Sequence, residues 1–320
     1  MRELLESMLL PAFDNAALDA RHDAATVNLG GSRLAFTTDT FVVKPRFFPG
    51  GDIGELSVYG TVNDLAMGGA VPKVLSCALV LEEGYSLEEL RRVLGSMRSA
   101  AARCGVQIVT GDTKVVDKGK GDGLFINTAG IGLIPEGVDL GPAKVRAGDA
   151  VLVSGDLGRH GMAVMSVREG LAFESPITSD CGPVHHLAEA LREGGVEAHC
   201  LRDPTRGGLA SVLNEIAADG KVAIEAREAD IPVDEAVAAA CEILGLDPLY
   251  VACEGRMVAF VPGEQAERAL GLLRSIPEGA GAALIGRVQE GPPGLVTLRT
   301  RLGTTRILDL LSGEQLPRIC

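Results

Sequence analysis

Residues 73–81 read KVLSCALVL, residues 86–103 read SLEELRRVLGSMRSAAAR and residues 106–110 read VQIVT. The first is an aliphatic run of strand length, the second carries its apolar residues at helical spacing, and the third is a second short strand. Strand, helix and strand in this order build a sheet covered by helices. Outward from this unit, residues 2–21 predict a helix through Leu4, Leu5, Met8 and Leu9, and residues 34–43 predict a strand turned between Pro45 and Gly51. Residues 56–67 predict a helix closed by Gly68-Gly69, and residues 125–134 a strand closed by Pro135-Glu136-Gly137. The second half repeats the mixture. Residues 150–154 predict a buried strand; helices are expected over 162–168, 184–193, 208–218, 233–244 and 264–275. Strands are expected over 222–225, 249–253, 256–261, 282–288 and 294–298. The fold class is mixed α/β, with a first domain over 1–145, a second over 146–305 and a mobile tail over 306–320.

Composition narrows the function. The chain has 320 residues, 46% of them hydrophobic, but no Trp, 3 Tyr and 8 Phe, so its core must be aliphatic. A net charge of −13 argues against binding a phosphate backbone. No apolar run approaches the ~18 residues of a membrane span, and the N-terminus lacks the series of features that makes a signal peptide. The seven cysteines, Cys77, Cys104, Cys181, Cys200, Cys241, Cys253 and Cys320, are odd in number and none are spaced C-x-x-C. Neither a zinc knuckle nor a disulfide framework is signalled. Reduced thiols in the cytoplasm fit best, with Cys77 a small core residue of its strand.

Four carboxylates stand in or beside these elements. Asp39 lies in Thr37-Thr38-Asp39-Thr40, and Asp64 follows Asn63 inside an otherwise apolar helix. Asp112 follows a strand in Gly111-Asp112-Thr113-Lys114, and Asp203 lies in Arg202-Asp203-Pro204-Thr205-Arg206-Gly207-Gly208. A cap or a surface ion pair is the plainer reading of any one of them. A carboxylate in an apolar element is expensive unless paired or metal-bound, and four such sites together suit a hard cation holding polyphosphate. Ser154-Gly155-Asp156-Leu157-Gly158-Arg159-His160-Gly161 follows a strand and precedes a helix, an arrangement that offers backbone N–H groups to an anion. A simple turn reads equally well there, and the stretch matches neither a P-loop nor G-x-G-x-x-G. Lys118-Gly119-Lys120-Gly121-Asp122-Gly123 reads as a solvated loop. Glu254, after Tyr250-Val251-Ala252-Cys253, suits either a general acid or base or a turn. His160 is the only histidine in a glycine-rich stretch; His22, His185, His186 and His199 read as surface or capping residues.

The chain closes on Pro317-Arg318-Ile319-Cys320, after the polar stretch Ser312-Gly313-Glu314-Gln315-Leu316. A fifteen-residue segment reaches roughly 50 Å when extended, so a terminal thiol there can travel between sites. This tetrapeptide resembles the end of the HypE family of hydrogenase maturation carbamoyl dehydratases. The resemblance also runs through Ser32-Arg33-Leu34-Ala35-Phe36-Thr37-Thr38-Asp39, Phe47-Phe48-Pro49-Gly50-Gly51, Asn63-Asp64-Leu65-Ala66 and Leu75-Ser76-Cys77. It continues through Val109-Thr110-Gly111-Asp112-Thr113-Lys114-Val115-Val116, Phe125-Ile126-Asn127-Thr128-Ala129-Gly130 and Arg202-Asp203-Pro204-Thr205-Arg206-Gly207-Gly208.

The family belongs to the aminoimidazole ribonucleotide synthetase-like superfamily, whose members bind ATP without a P-loop. The resemblance implies an N-terminal domain that makes a homodimer through its sheet, and ATP held with Mg²⁺ between acidic residues. It implies Asp39, Asp64, Asp112 and Asp203 as Mg²⁺ ligands, and Asn63, Asp64, Thr113, Lys114 and Gly161 at the ATP. It implies Cys320 as carrier of a carbamoyl group, with Glu254 and Asp112 as candidates for the base and Lys114 and His160 as phosphate contacts. A HypF-type carbamoyl transferase would load the tail, and a HypC–HypD iron-assembly complex would receive the product. Two other readings stay open: a small-molecule ATP enzyme of the superfamily, such as a selenophosphate or thiamine-phosphate kinase-like protein, and a non-catalytic carrier.

Overall fold

The computed structural model describes residues 5–13, 15–170, 177–310, 316 and 319. The helix predicted over 2–21 is not continuous. Leu5–Leu9 and Leu10–Ala12 form one short helical stretch, and Leu18–Ala20 a separate turn. Asn15 divides them, its Oδ1 accepting from Ala17 N (3.0 Å) and Leu18 N (3.2 Å) while its amide donates to the Phe13 carbonyl. Such local side-chain bonds compete with helix continuation.

A strand that the sequence reading lacked comes next. β1 (Ala25–Leu29) pairs with β2 (Ser32–Phe41) across Gly30-Gly31, both with positive φ, as a tight hairpin requires. A short hairpin, β3 (Phe47–Phe48) and β4 (Gly51–Asp52), leads into helix α1 (Ile53–Met67). Asp52 caps α1 by accepting from Gly54 N (2.7 Å) and Glu55 N (3.1 Å). The helix is buried at every position except Glu55 and Asp64, its two acidic residues. Then follow β5 (Val71–Glu82), α2 (Leu87–Arg103), β6 (Gln107–Val116) and β7 (Leu124–Leu133). The sheet order is β1-β2-β7-β5-β6, with only β5 and β6 parallel, as the crossover through α2 demands. α1 covers one face, while the other leaves Phe36, Ile131 and Leu133 exposed.

The second sheet contains β8 (Ala150–Val153), β9 (Cys200–Arg202), β10 (Ala223–Arg227), β11 (Val258–Val261), β12 (Ala283–Gln289), β13 (Val296–Arg299) and β14 (Thr305–Ile307), in the order β14-β13-β10-β12-β8-β11-β9. Its helices are α3 (Arg159–Arg168), α4 (His185–Glu193), α5 (Gly208–Asp219), α6 (Glu235–Leu244) and α7 (Ala266–Arg274). Strand alternation divides them between the two faces. Val151 and Val153 pack with Leu209 and Leu213 of α5, whereas Ala150 and Leu152 pack with Leu187 of α4 and Leu270 of α7.

Two expectations are corrected here. Residues 249–253 do not form a strand: Pro248–Tyr250 is a 3₁₀ turn, and the N–H groups of Cys253, Glu254 and Gly255 are taken by the Pro204 carbonyl and the Asp180 carboxylate instead of a ladder. The segment after the second sheet also starts later than residue 306, because β14 pairs with β13 and Leu308 is fully buried.

The domains meet along α1. The Asn63 amide donates to the Gly182 carbonyl (3.1 Å) and accepts from Val184 N (2.8 Å), while Ser179 N donates to the Pro49 carbonyl (2.8 Å). No helix among the described residues is long and apolar enough to cross a membrane.

Candidate active site between the domains

Three carboxylates converge where α1, β9 and the segment before β1 meet. Oxygens of Asp23, Asp64 and Asp203 lie within 4.8 Å of one another. Asp64 accepts from Thr37 Oγ1 (2.8 Å), so β2 holds it from one side. Asp23 is held by Arg202 (Nε to Oδ1, 2.7 Å), which also pairs with Glu215 (2.9 Å). The second Asp23 oxygen is buried with no hydrogen-bond partner among the described residues. Three acids against one guanidinium leave the cluster short of positive charge. Burial pushes Asp203 up to about 6, opposed by Arg202 and reinforced by Asp39. Burial and their mutual repulsion raise Asp23 and Asp64 as well. An all-oxygen donor set with an orphaned buried oxygen fits a hard divalent cation. Asp39 stands at the rim, its carboxyl beside Gly60 of α1 and raised by desolvation.

Gly60 is required by packing. A Cβ there would come within 2.8 Å of the Phe41 ring, so glycine lets β2, with Asp39 on it, lie close against the helix.

Glu254 lies on the next layer. It is 3% exposed, and its Oε1 has no partner among the described residues. Burial raises its carboxyl well above the ordinary range, with Asp203, Asp39 and Asp180 adding to the shift. These same carboxylates tie Glu254 electrostatically to the acid cluster.

The chain end returns to this layer. Ile319, 5% exposed, joins the core cluster that holds Phe48, Val164 and Ala252, and Leu316 packs against it. The Ile319 carbonyl meets His160 Nε2. His160 is fully buried, its ring edge-on to Phe48 with centroids 5.1 Å apart, and burial lowers its pKa, so the imidazole is neutral. Cys320 itself, with Pro317 and Arg318, lies outside the described residues.

The structure gathers some of the residues singled out in the sequence and separates others. Asp64 and Asp203 meet directly, Asn63 is used to join the domains, and Glu254 and His160 share one layer. Gly161 lies beneath the chain end: a Cβ there would sit 3.2 Å from Leu316 Cδ1 and 2.4 Å from Val251 Cγ1. The start of α3, read as either an anion site or a simple turn, already contains protein groups. His160 N donates to Asp180 Oδ1 (2.8 Å), Gly158 N to Cys253 Sγ (3.1 Å) and Gly161 N to the Ala252 carbonyl (3.1 Å).

Asp112, Thr113 and Lys114 are elsewhere within one copy of the chain. The strand expected to end at Thr110 runs further, because β6 continues beside β5 through Val116, with Ala78 opposite Asp112. Asp112 is exposed and paired with Lys114 (2.9 Å), whose hydrogen bond lowers its pKa. His199, read as a surface or capping residue, is buried against Asp149 (2.7 Å).

The residues that sequence reasoning missed are Asp23, Arg202 as its partner, Ser179 and Asp180. Asp23 belongs to a segment whose strand was not foreseen, and Ser179-Asp180 to one without regular structure.

Comparison with known proteins agrees with this architecture. Residues 21–134 match the model of the AIR synthase related protein, N-terminal domain, and residues 146–298 that of its C-terminal domain. The carbamoyl dehydratase HypE of Azotobacter vinelandii is 50% identical over 320 residues, covering 100% of this chain and 94% of that protein. The chain belongs to the HypE family of carbamoyl dehydratases. Among solved structures, that of a HypE–HypF complex superposes with a TM-score of 0.91 at 48% identity, over 96% of this chain and 99% of the other. A HypE in complex with ATP gives 0.88 at 47% identity, over 100% of this chain and 96% of the other. The family resemblance read in the sequence therefore extends over the whole chain, and the mixed α/β fold with two AIR synthase-type domains is that of HypE.

Proposed function

We propose that the chain uses ATP to dehydrate a carbamoyl group carried on the Cys320 sulfur, giving a protein thiocyanate from which the iron of a [NiFe]-hydrogenase receives cyanide. The observation that carries this reading is the docking of Ile319, the neighbour of Cys320, on His160, in the layer that also buries the unpartnered carboxyl of Glu254. Phosphoryl transfer from ATP to the carbamoyl oxygen turns a poor leaving group into a good one. Phosphorylation frees one of the two N–H protons to solvent, and Glu254 takes the other as the C–O bond breaks, leaving S–C≡N, inorganic phosphate and ADP. Position does much of this work, since an acceptor held on the protein reacts as an intramolecular group.

Asp23, Asp64 and Asp203 would hold Mg²⁺, with Asp39 at the rim; the ion supplies charge neutralisation for the polyphosphate. Arg202 keeps Asp23 aimed into the cluster, and Thr37 does the same for Asp64. Asp112, Thr113 and Lys114 fit a role across a homodimer. β6 is an edge strand exposed at nine of its ten positions, and the uncovered face beside it presents Phe36 and Ile131. Such an edge invites pairing with a second copy. A HypF-type transferase is the loading partner, by analogy with the relative whose complex carries that name; a HypC–HypD complex is the recipient.

The reading is tested by intact-mass analysis after incubation with the transferase, carbamoyl phosphate and ATP. A carbamoyl adduct that becomes a cyano adduct only with ATP is expected, and a persistent carbamoyl adduct would point to a mere carrier. The acid cluster makes a second expectation. Its carboxylates hold protons to unusually high pH, so below about pH 6 a cation must displace them. Mg²⁺ should therefore raise the melting temperature more at pH 8 than at pH 5.5. An equal shift at both, or none, would remove the cluster as the cation site.

A further inference from the structure

The segment between residues 177 and 184 contributes no strand or helix until α4, yet its side chains bond to both parts of the site. Ser179 Oγ accepts from Cys181 N (2.9 Å) and lies 2.9 Å from His160 Nδ1. The direction of that second bond follows from the far side of the ring. His160 Nε2 faces the Ile319 carbonyl, which can only accept, so the single proton of the neutral ring is on Nε2. Nδ1 is then an acceptor, and Ser179 donates to it. One uninterrupted relay runs from Cys181 N–H through the Ser179 hydroxyl and the imidazole to the carbonyl beside Cys320.

Asp180 fixes the same ring and Glu254 to each other. Its Oδ1 accepts from His160 N (2.8 Å), and its Oδ2 from Glu254 N and Gly255 N (3.1 Å each). A Cβ on Gly255 would come 1.8 Å from the Asp180 carbonyl oxygen, so the two backbones lie in direct contact. Ser179 N reaches across to Pro49 of the first domain, which sets the segment against both halves of the molecule.

We propose that Ser179 and Asp180 are positioning residues for the dehydration step: Ser179 selects the His160 tautomer that holds the chain end, and Asp180 keeps that anchor in register with Glu254. The inference rests on the thiocyanate reading above and deepens it. Neither residue exchanges a proton with the reacting group.

The test uses full-length protein already carbamoylated by its transferase, mixed with Mg-ATP and followed by intact mass in a single turnover. Wild type must first convert; if it does not, the thiocyanate reading fails and this inference is overturned with it, which is distinct from variants that match a converting wild type. Given conversion, Ser179→Ala should slow cyano formation about tenfold, the worth of one hydrogen bond near the reacting group, and Ser179→Thr, which keeps the hydroxyl, should restore most of the rate. Asp180→Asn should slow the same step with Mg-ATP affinity held within about twofold, because both backbone N–H groups on Oδ2 lose a charged acceptor. Nitrogen-15 NMR of the His160 ring supplies a readout independent of turnover and of variant folding. A proton on Nε2 in the wild type supports the relay, and one on Nδ1 overturns it. Dehydration by Ser179→Ala at the wild-type rate also overturns it, as does failure of Ser179→Thr to improve on Ser179→Ala.

Discussion

Cys320→Ala should end carbamoyl loading and thiocyanate formation outright while leaving the fold and Mg-ATP binding nearly unchanged. The sulfur is the proposed acceptor, and removing it leaves no atom to carry the group. The nucleotide and cation groups, in contrast, come from Asp23, Asp64 and Asp203, more than a hundred residues upstream. The chain end is held by Leu316 and by Ile319, whose carbonyl and side chain make the contacts with His160 and the core. None of these is altered by the substitution, so its effect on stability should stay within about 0.5 kcal/mol. Mass spectrometry decides the point. An adduct on the Cys320→Ala protein, for example on Cys181 or Cys253, would sink the carrier reading, whereas lost ATP binding would put Cys320 in the nucleotide site instead.

What could be read in the sequence was whatever violates a local rule. Asp64 was legible because a carboxylate interrupts the apolar run of a helix buried at every other position but Glu55, and the structure turns it into the acid cluster. Asp203 was legible from its glycines. A Cβ on Gly208 would come 2.7 Å from the carbonyls of Leu249 and Val251, so the glycine marks a close backbone approach beside the site. Asp23 breaks no rule: it is one acid in a polar stretch, and only the pairing of β1 with β2 and the reach of Arg202 from the other domain give it a place.

Gly111 misled in the opposite direction. The strand was expected to end just before it, but it lies within β6, where a side chain would come 2.1 Å from the Cys77 carbonyl oxygen. A glycine required by strand contact and a glycine required by a turn are identical on paper. Hence Asp112 and Lys114 were expected at a strand end and are found on an exposed edge. The relay through Ser179 had no signal at all, since it joins side chains and backbone of three separate segments.

Glu254→Gln should leave the protein loaded but unable to dehydrate, slowing cyano formation by about 10²–10⁴-fold, the span of a lost general base. Glutamine keeps the volume and the backbone bonds to Asp180, so carbamoyl loading and Mg-ATP binding should persist. Dehydration by the wild type should rise with pH as the carboxyl, held protonated by burial, ionises; the variant should lack that limb. Stability should change in the opposite sense. A carboxyl whose pKa in the folded chain lies above its ordinary 4.5 binds more protons folded than unfolded, so it favours the native state at low pH. That contribution fades as pH rises toward the folded pKa and is gone above it, where a charge is buried near Asp203, Asp39 and Asp180. Relative to wild type, Glu254→Gln should therefore gain stability progressively from about pH 4.5 upward. Chemical denaturation at pH 4, 6 and 8 measures this directly. A difference that does not change with pH would mean that the Glu254 carboxyl titrates alike in the folded and unfolded chain, and with that would go the upward shift on which the expected limb in the rate rests.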